Sequence, residues 1–373
     1  MSQDHARLPL RIIISGGGTG GHIFPAIAIA NAVQKREPAT EFLFVGAEGK
    51  MEMDKVPAAG YRIEGLPIRG FQRKALWKNF DLPMRVVRSM LKARSLIKDF
   101  APDVAVGVGG YASGPLLAAA QRAGVPTLIQ EQNSFPGKTN QFLAQRVDRI
   151  CVAYAGMEKF FPKQKIMLTG NPVRQDVVQL EGKRSQGLEF FALQEGRPIL
   201  FITGGSLGAR GINRGIEAAL PKLKAAGVQV IWQTGTPFLQ QALSAVAALD
   251  FKECKVMEFV TRMDLAYAVA DLVVARAGAI SVSELCLVKR PAILVPLPTA
   301  AEDHQTHNAR ALTDRKAAVL VKDDRAVEEL GDTVVSLIND RNELSRLSNA
   351  MASLGMNNAA DAIAAEVIRL ARR

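Results

Sequence analysis

Four short runs of small residues are the parts of this chain best suited to hold a phosphate. They are Ser15-Gly16-Gly17-Gly18-Thr19-Gly20-Gly21-His22, Gly107-Val108-Gly109-Gly110-Tyr111-Ala112-Ser113-Gly114-Pro115, Thr203-Gly204-Gly205-Ser206-Leu207-Gly208-Ala209 and Arg276-Ala277-Gly278-Ala279-Ile280-Ser281-Val282-Ser283-Glu284. Each follows an apolar run and precedes a helical pattern. Glycine there lets the backbone turn sharply and lets an anion approach the main-chain N–H groups. The helix that follows adds unpaired donors and a positive dipole end. Gly16, Gly18 and Gly21 also fit G-x-G-x-x-G, with Glu48 placed where a dinucleotide site keeps a ribose-binding acid. A dinucleotide site needs only one such turn. Four, two in each half, suit two phosphorylated ligands better.

His22 closes the first run, and an imidazole titrates near neutral pH, which suits a general base. The bland alternative is that it only orients the loop. Glu284 ends the fourth run, where a carboxylate can accept from both hydroxyls of a ribose, or can simply face a helix dipole. No metal site is expected. His304 and His307 are three apart without an evident third ligand, and no Asp-x-Asp segment is present to hold a divalent ion. Cys151, Cys254 and Cys286 are widely spaced and read as reduced, buried small residues.

The elements that must position these groups alternate between β-branched apolar runs and helical patterns, the signature of parallel sheets covered by helices. Strands are expected at Leu10–Ile14, Phe42–Val45, Tyr61–Leu66, Val104–Val106, Thr127–Gln130 and Arg149–Ala153. A second series runs Ile199–Thr203, Val228–Trp232, Val256–Phe259, Leu272–Ala275, Ala292–Val295 and Ala318–Val321. Helical patterns include Phe24–Glu37, Met84–Phe100 and most of Asp324–Arg373. The expected fold is α/β, two Rossmann-like doubly wound parallel-sheet domains facing a cleft. The domains are 1–168 and 198–357, joined by a linker at 169–197, with a terminal helix at about 358–373 free to pack back on the first. In such sheets ligands bind beyond the carboxyl ends of the strands, where the turns lie.

A length of 373 residues suits two cores, and 48% hydrophobic with 22% charged residues argues against disorder. No apolar run is long enough for a membrane-spanning helix, and the start lacks a signal-peptide core, so a cytoplasmic protein is expected. The formal net charge is +11, and it is unevenly spread. Between Arg69 and Lys98 lie nine basic residues and one acid, Asp81. Phe71, Leu76, Trp77, Phe80, Leu82 and Met84 are interleaved with them. Rings among cations suit a surface that meets anionic lipid. A core stripe beneath a solvated helix face would give a similar pattern. Nucleic acid is not expected, because no nucleic-acid module is recognisable.

Several short motifs occur together in a fixed order: Gly17-Gly18-Thr19-Gly20-Gly21-His22, Gly109-Gly110-Tyr111, Glu131-Gln132-Asn133, Gly170-Asn171-Pro172-Val173-Arg174, Gly204-Gly205-Ser206, Gly278-Ala279 through Glu284, and Asp303-His304-Gln305 with Asn308. From about Arg11 to Asn349 the chain resembles the MurG family of peptidoglycan glycosyltransferases. The resemblance implies a GT-B fold and inverting, UDP-GlcNAc-dependent transfer of GlcNAc to undecaprenyl-diphosphate-MurNAc-pentapeptide (lipid I), giving lipid II. It implies His22 as the catalytic base, no cofactor, and peripheral attachment at the cytoplasmic face of the cell membrane. Partners would be UDP-GlcNAc, lipid I, the anionic membrane surface and possible members of a cell-wall synthesis complex serving cell shape and division.

The same resemblance assigns donor contacts to Thr19, Gly20, Gly21, Asn133, Arg174, Ser206, Val260, Ala279, Ile280, Ser281, Val282, Ser283, Glu284 and Gln305. It places the acceptor diphosphate at Gly18, Thr19, Gly109, Gly110 and Tyr111. The membrane-facing residues expected from the basic segment are Arg73, Lys74, Leu76, Trp77, Lys78 and Phe80. Departures from the family pattern are Gln130, where many relatives carry His, Leu207 in place of a frequent Gln, and His304 in place of a second Gln. A UDP-GlcNAc epimerase of the same fold and a dinucleotide-dependent oxidoreductase stay open as alternatives.

Overall fold

The computed structural model describes residues 9–70, 77, 80–205 and 207–373, and it divides into two compact units. One runs to Val173 and takes back Asn358–Arg373; the other is Arg174–Asn357.

The first unit alternates strand and helix. It begins with β1 (Arg11–Ser15), α1 (Gly20–Arg36), β2 (Glu41–Ala47), α2 (Glu52–Ala58), β3 (Ile63–Leu66) and α3 (Leu82–Phe100). It continues with β4 (Val104–Gly107), α4 (Ser113–Arg122), β5 (Thr127–Glu131), α5 (Lys138–Ala144), β6 (Arg149–Val152) and β7 (Ile166–Leu168). The seven strands form one sheet in the order β3-β2-β1-β4-β5-β6-β7, and every pairing is parallel. Strand alternation sends Ile12 and Ile14 to one face, under Ile23 and Ile29 of α1, and Ile13 to the other, with Leu116 and Leu117 of α4. Burial of each such side chain is worth about 2 kcal/mol.

The second unit opens with α6 (Gln175–Val178) and α7 (Arg184–Phe190), followed by β8 (Ile199–Thr203), α8 (Arg210–Ala225), β9 (Gln229–Gln233), α9 (Leu239–Ala248) and β10 (Cys254–Met257). Next come α10 (Met263–Val269), β11 (Leu272–Ala275), α11 (Ala279–Val288), β12 (Ala292–Leu294), α12 (His304–Thr313) and β13 (Val319–Leu320). Helices α13 (Ala326–Ile338) and α14 (Arg341–Leu354) complete it, and α15 (Ala359–Ala371) returns to the first unit. Its six parallel strands are ordered β10-β9-β8-β11-β12-β13.

Both sheets reverse their strand order at one place, between β1 and β4 and between β8 and β11. Parallel register sets Ser15 beside Gly107 and Thr203 beside Ala275. All four small-residue turns therefore leave the sheets at the two switch points, where α/β folds bind their ligands.

The structure departs from the sequence expectations in four places. Helix α1 begins at Gly20, four residues before the expected Phe24, so His22 lies in its first turn rather than in the loop. Pro25 is consequently inside the helix, and its missing N–H deprives the Gly21 carbonyl of its i+4 donor. Strand β7 was hidden by the charged, Pro-containing segment 159–165 before it. β10 begins two residues earlier than expected. The segment read as linker, 169–197, carries α6 and α7. A Cβ on Gly187 would lie 2.6 Å from the Val269 side chain and 2.9 Å from the Leu265 carbonyl, so α7 packs flush on α10.

Candidate active site

In the first unit the two glycine turns interlock. Gly109 and Gly110 adopt φ of 104° and 90°, conformations that favour glycine. A Cβ on Gly110 would sit 2.5 Å from the Gly17 carbonyl oxygen. One on Gly109 would press within 2.8 Å of His22 Nε2. The imidazole therefore lies against bare backbone. His22 Nδ1 is 2.9 Å from the Gly17 carbonyl oxygen, which can only accept. Nδ1 thus carries the hydrogen, which in the neutral ring leaves the lone pair on Nε2.

Beneath the same turn lies Glu52, 1% exposed. Its Oε2 accepts from Gly18 N–H at 2.9 Å and its Oε1 from Ala47 N–H at 3.0 Å. A Cβ on Gly17 would be 2.1 Å from this carboxylate, which is why the turn needs glycine there. The N–H of Gly18, assigned from the sequence to a diphosphate, is engaged by Glu52 in this structure. Glu48, the acid of the dinucleotide alternative, turns instead to Lys92 at 3.6 Å. A carboxylate filling the underside of the turn, and a ribose acid drawn elsewhere, both count against that alternative.

The Glu131-Gln132-Asn133 segment is an internal brace. Buried Glu131 accepts from the N–H groups of Asn133 and Gly137, at 3.0 and 3.1 Å, and from the side chains of Asn133 and Asn140, at 3.2 and 2.8 Å. Burial still leaves its carboxyl above the usual range. Gln130 Nε2 donates to Asn171 Oδ1 at 2.9 Å, and Asn171 Nδ2 donates to the Gln132 carbonyl at 3.0 Å. Gln132 Nε2 donates to the Val108 carbonyl at 2.7 Å. These amides tie the turn after β4 to the chain leaving β7. Tyr111, half exposed, lays its phenol over Gly70, where a Cβ would be 2.2 Å away.

In the second unit the turn after β8 is shaped by close backbone approach. Gly205 and Gly208 have φ of 82° and 74°, and a Cβ on Gly208 would overlap the Thr234 carbonyl at 1.9 Å. Ser206 lies outside the described residues. The neighbouring turn leads into α11, capped by extended Gly278, with Ala279, Ile280 and Ser281 at its N-terminus and Val282 packed beneath. Ser283 Oγ donates back to the Ala279 carbonyl at 3.0 Å, which stiffens that first turn. Glu284 follows on the same helix. Tyr267 Oη donates to Glu284 Oε2 at 3.2 Å. Burial pushes the Glu284 carboxyl up to about 7, opposed by the Tyr267 bond and by the nearby Arg174 guanidinium. Arg174 also pairs with Asp176 at 2.5 Å.

Two further donor candidates are already engaged. Val260 N–H donates to Gln233 Oε1 at 2.8 Å, so a base contact from Val260 would come from its carbonyl. Gln305 Oε1 accepts from Leu297 N–H at 3.0 Å, which leaves its amide N–H as the natural donor toward a ligand. The second unit thus gathers Arg174, Val260, Ala279–Glu284 and Gln305. Thr19, Gly20, Gly21 and Asn133 belong to the first.

Sequence reasoning missed Glu52, Tyr267 and Gln233. Each left a signal: an acid at the very start of a helix, and a lone phenol or amide in an otherwise apolar run, which must find a buried partner. Of the membrane-facing candidates, Trp77 is 71% and Phe80 92% exposed. Arg73, Lys74, Leu76 and Lys78 lie outside the described residues. Along α3, Met84, Val87 and Leu91 are also exposed, beside Arg85, Arg88 and Lys92. Asp81 binds Arg69 and Arg85, so the single acid offsets part of the field. No described helix is long and apolar enough to cross a membrane.

Comparison with known proteins agrees with this layout. The glycosyltransferase family 28 N-terminal domain matches residues 12–152, and the family's C-terminal domain matches residues 199–364. A Bacteroides thetaiotaomicron protein named UDP-N-acetylglucosamine–N-acetylmuramyl-(pentapeptide) pyrophosphoryl-undecaprenol N-acetylglucosamine transferase is 54% identical, over 97% of this chain and 98% of its own length. A Porphyromonas gingivalis protein of the same name is 52% identical over 99% of this chain and 98% of its own. Among solved structures, Acinetobacter baumannii MurG superposes with a TM-score of 0.79 at 26% identity, covering 97% of this chain and all of that one. The Neisseria meningitidis UDP-GlcNAc 2-epimerase shares the fold, with a TM-score of 0.67 at 13% identity and coverage of 96% and 100%. Matched in both halves and more than 50% identical to curated relatives over nearly its whole length, the chain belongs to glycosyltransferase family 28.

Proposed function

We propose that this protein transfers GlcNAc from UDP-GlcNAc to the muramyl sugar of lipid I, with inversion, to give lipid II. The observation that carries the reading is the placement of four small-residue turns at two topological switch points, one pair per unit, in a chain half identical to enzymes named for that transfer. An epimerase needs one nucleotide sugar and no lipid acceptor, whereas the exposed Trp77, Phe80 and α3 face suit a lipid-bound one.

The donor belongs to the second unit. The turn that follows β8 and the N-terminus of α11 support the diphosphate, Glu284 takes the ribose hydroxyls, and Arg174 and Gln305 hold the sugar-diphosphate. The acceptor belongs to the first unit, with its diphosphate near Thr19, Gly109 and Gly110. Inversion is a single displacement. His22 Nε2 takes the proton of the acceptor hydroxyl, the oxygen bonds to the anomeric carbon, and the bond to UDP breaks. The charge that develops on UDP falls to the main-chain donors of the second unit. The enzyme works at the cytoplasmic face of the bacterial membrane, held peripherally by the basic and aromatic face.

A radiolabel transfer assay with UDP-GlcNAc and a lipid I analogue, run with and without EDTA, tests this reading. Label should move to the lipid in both arms. Absence of transfer, with epimerised UDP-sugar in its place, would overturn it.

A further inference from the structure

Gln233 closes β9, the strand between β8 and β10, and its side-chain amide reaches the loops that follow both neighbours. Nε2 donates to the Gly205 carbonyl at 2.9 Å and to Thr203 Oγ1 at 3.2 Å. Oε1 accepts from Val260 N–H at 2.8 Å. Thr203 Oγ1 in turn accepts from Gly205 N–H at 3.3 Å. The N–H groups of Gly205 and Val260, and the Gly205 carbonyl that also accepts from Gly208 N–H at 3.0 Å, thus meet at one primary amide and one hydroxyl. Gln233 is 2% exposed, so water has little access to replace these bonds. The strand end is held from its other side as well. Trp232 Nε1 donates to Asn213 Oδ1 at 3.1 Å, and Asn213 Nδ2 donates to the Thr234 carbonyl at 2.8 Å.

We propose that Gln233 is a positioning residue for the donor, coupling the turn that meets the diphosphate to the segment that meets the nucleobase. The proposal rests on the reading that the second unit binds a UDP-sugar. The side chain must be an amide, because the two arms ask for opposite chemistry. The Gly205 carbonyl can only accept and the Val260 N–H can only donate. A carboxylate would keep the Val260 arm and set negative charge against the Gly205 carbonyl. A thioether would fill the volume and serve neither.

The test is nucleotide binding by calorimetry, with UDP and CDP as probes, on the parent, Gln233→Met, Gln233→Glu, Thr203→Val and Thr203→Ser, each checked for folding by its melting transition. Gln233→Met should weaken UDP about tenfold or more and reduce the preference for UDP over CDP. Gln233→Glu should weaken UDP while keeping that preference. Thr203→Val should give a milder loss that Thr203→Ser restores. In transfer assays the change should appear in KM for UDP-GlcNAc with little change in kcat. A folded Gln233→Met that keeps the parent's UDP affinity overturns the proposal, as does a loss of affinity with unchanged base preference. If Gln233→Met fails to fold, a Thr203→Val that matches the parent overturns it equally. A parent chain that binds neither UDP nor UDP-GlcNAc removes the donor assignment itself, and the proposal with it.

Discussion

The phenol of Tyr267 and the carboxyl of Glu284 form a pair inside the second unit, with Oη donating to Oε2 at 3.2 Å. Tyr267 is fully buried on α10, its ring edge-on to Phe201 at 5.7 Å, so the donor is held in place by the core. The pair sets a pH dependence. Burial raises the Glu284 carboxyl from 4.5 to about 7, and a ribose is better served by the ionised form, which accepts at both oxygens. Affinity for UDP-GlcNAc should therefore be weak below neutrality and rise as pH passes through about 7. Tyr267→Phe removes a bond that favours the ionised form. It should move that rise to higher pH. Glu284→Ala should raise KM throughout and flatten the profile. A KM profile unchanged in Tyr267→Phe would detach the phenol from donor binding.

His22→Ala should lower kcat by about 10²–10⁴ while leaving UDP-GlcNAc affinity nearly intact, because the role proposed for the imidazole is at the acceptor hydroxyl. Gly109→Ala should imitate it, since the added methyl would meet the His22 ring within 2.8 Å and displace it. Single-turnover rates and donor titrations on both variants separate the two effects. Near-normal turnover in His22→Ala would leave His22 a loop organiser only.

Glu52 supports the first turn from below, and its replacement should be felt in stability before chemistry. Glu52→Ala strands the N–H groups of Gly18 and Ala47, at a cost of about 3 kcal/mol. Tm should fall by roughly 10 °C. Glu52→Gln should recover only part of this, because an amide offers one acceptor oxygen where two N–H donors point. Equal Tm for parent and Glu52→Ala would contradict the brace.

Binding to vesicles should depend on lipid charge and on salt. The protein should sediment with phosphatidylglycerol vesicles at low ionic strength and be released as salt rises, since exposed charges are screened beyond about 10 Å at 0.1 M. Trp77→Ala and Phe80→Ala should weaken binding at all salt concentrations, because the part proposed for them is apolar insertion. Equal binding to neutral phosphatidylcholine vesicles would remove the electrostatic contribution.

The sheets were legible because parallel strands are buried on both faces and read as unbroken β-branched runs, as in Ile12-Ile13-Ile14 and Ile199-Leu200-Phe201-Ile202. Motif order also made the family legible. What sequence hid was the competition for backbone donors. Nothing in the spacing of Gly16–Gly21 announces that Gly18 N–H is spent on Glu52, 34 positions on. Nor does it show that Val260 N–H is spent on Gln233. Such bonds join residues that are adjacent only once the sheet has formed, and local periodicity carries no trace of them. The early start of α1 was missed for a related reason: glycines weaken a helix, and contact with the second turn of the same unit overrides that preference.

A crystal structure with UDP-GlcNAc bound decides where the donor sits. The diphosphate should lie at the turn that follows β8 and at the N-terminus of α11, with the ribose hydroxyls on Glu284. Nucleotide lodged beside Gly16–Gly21 in the first unit would contradict it.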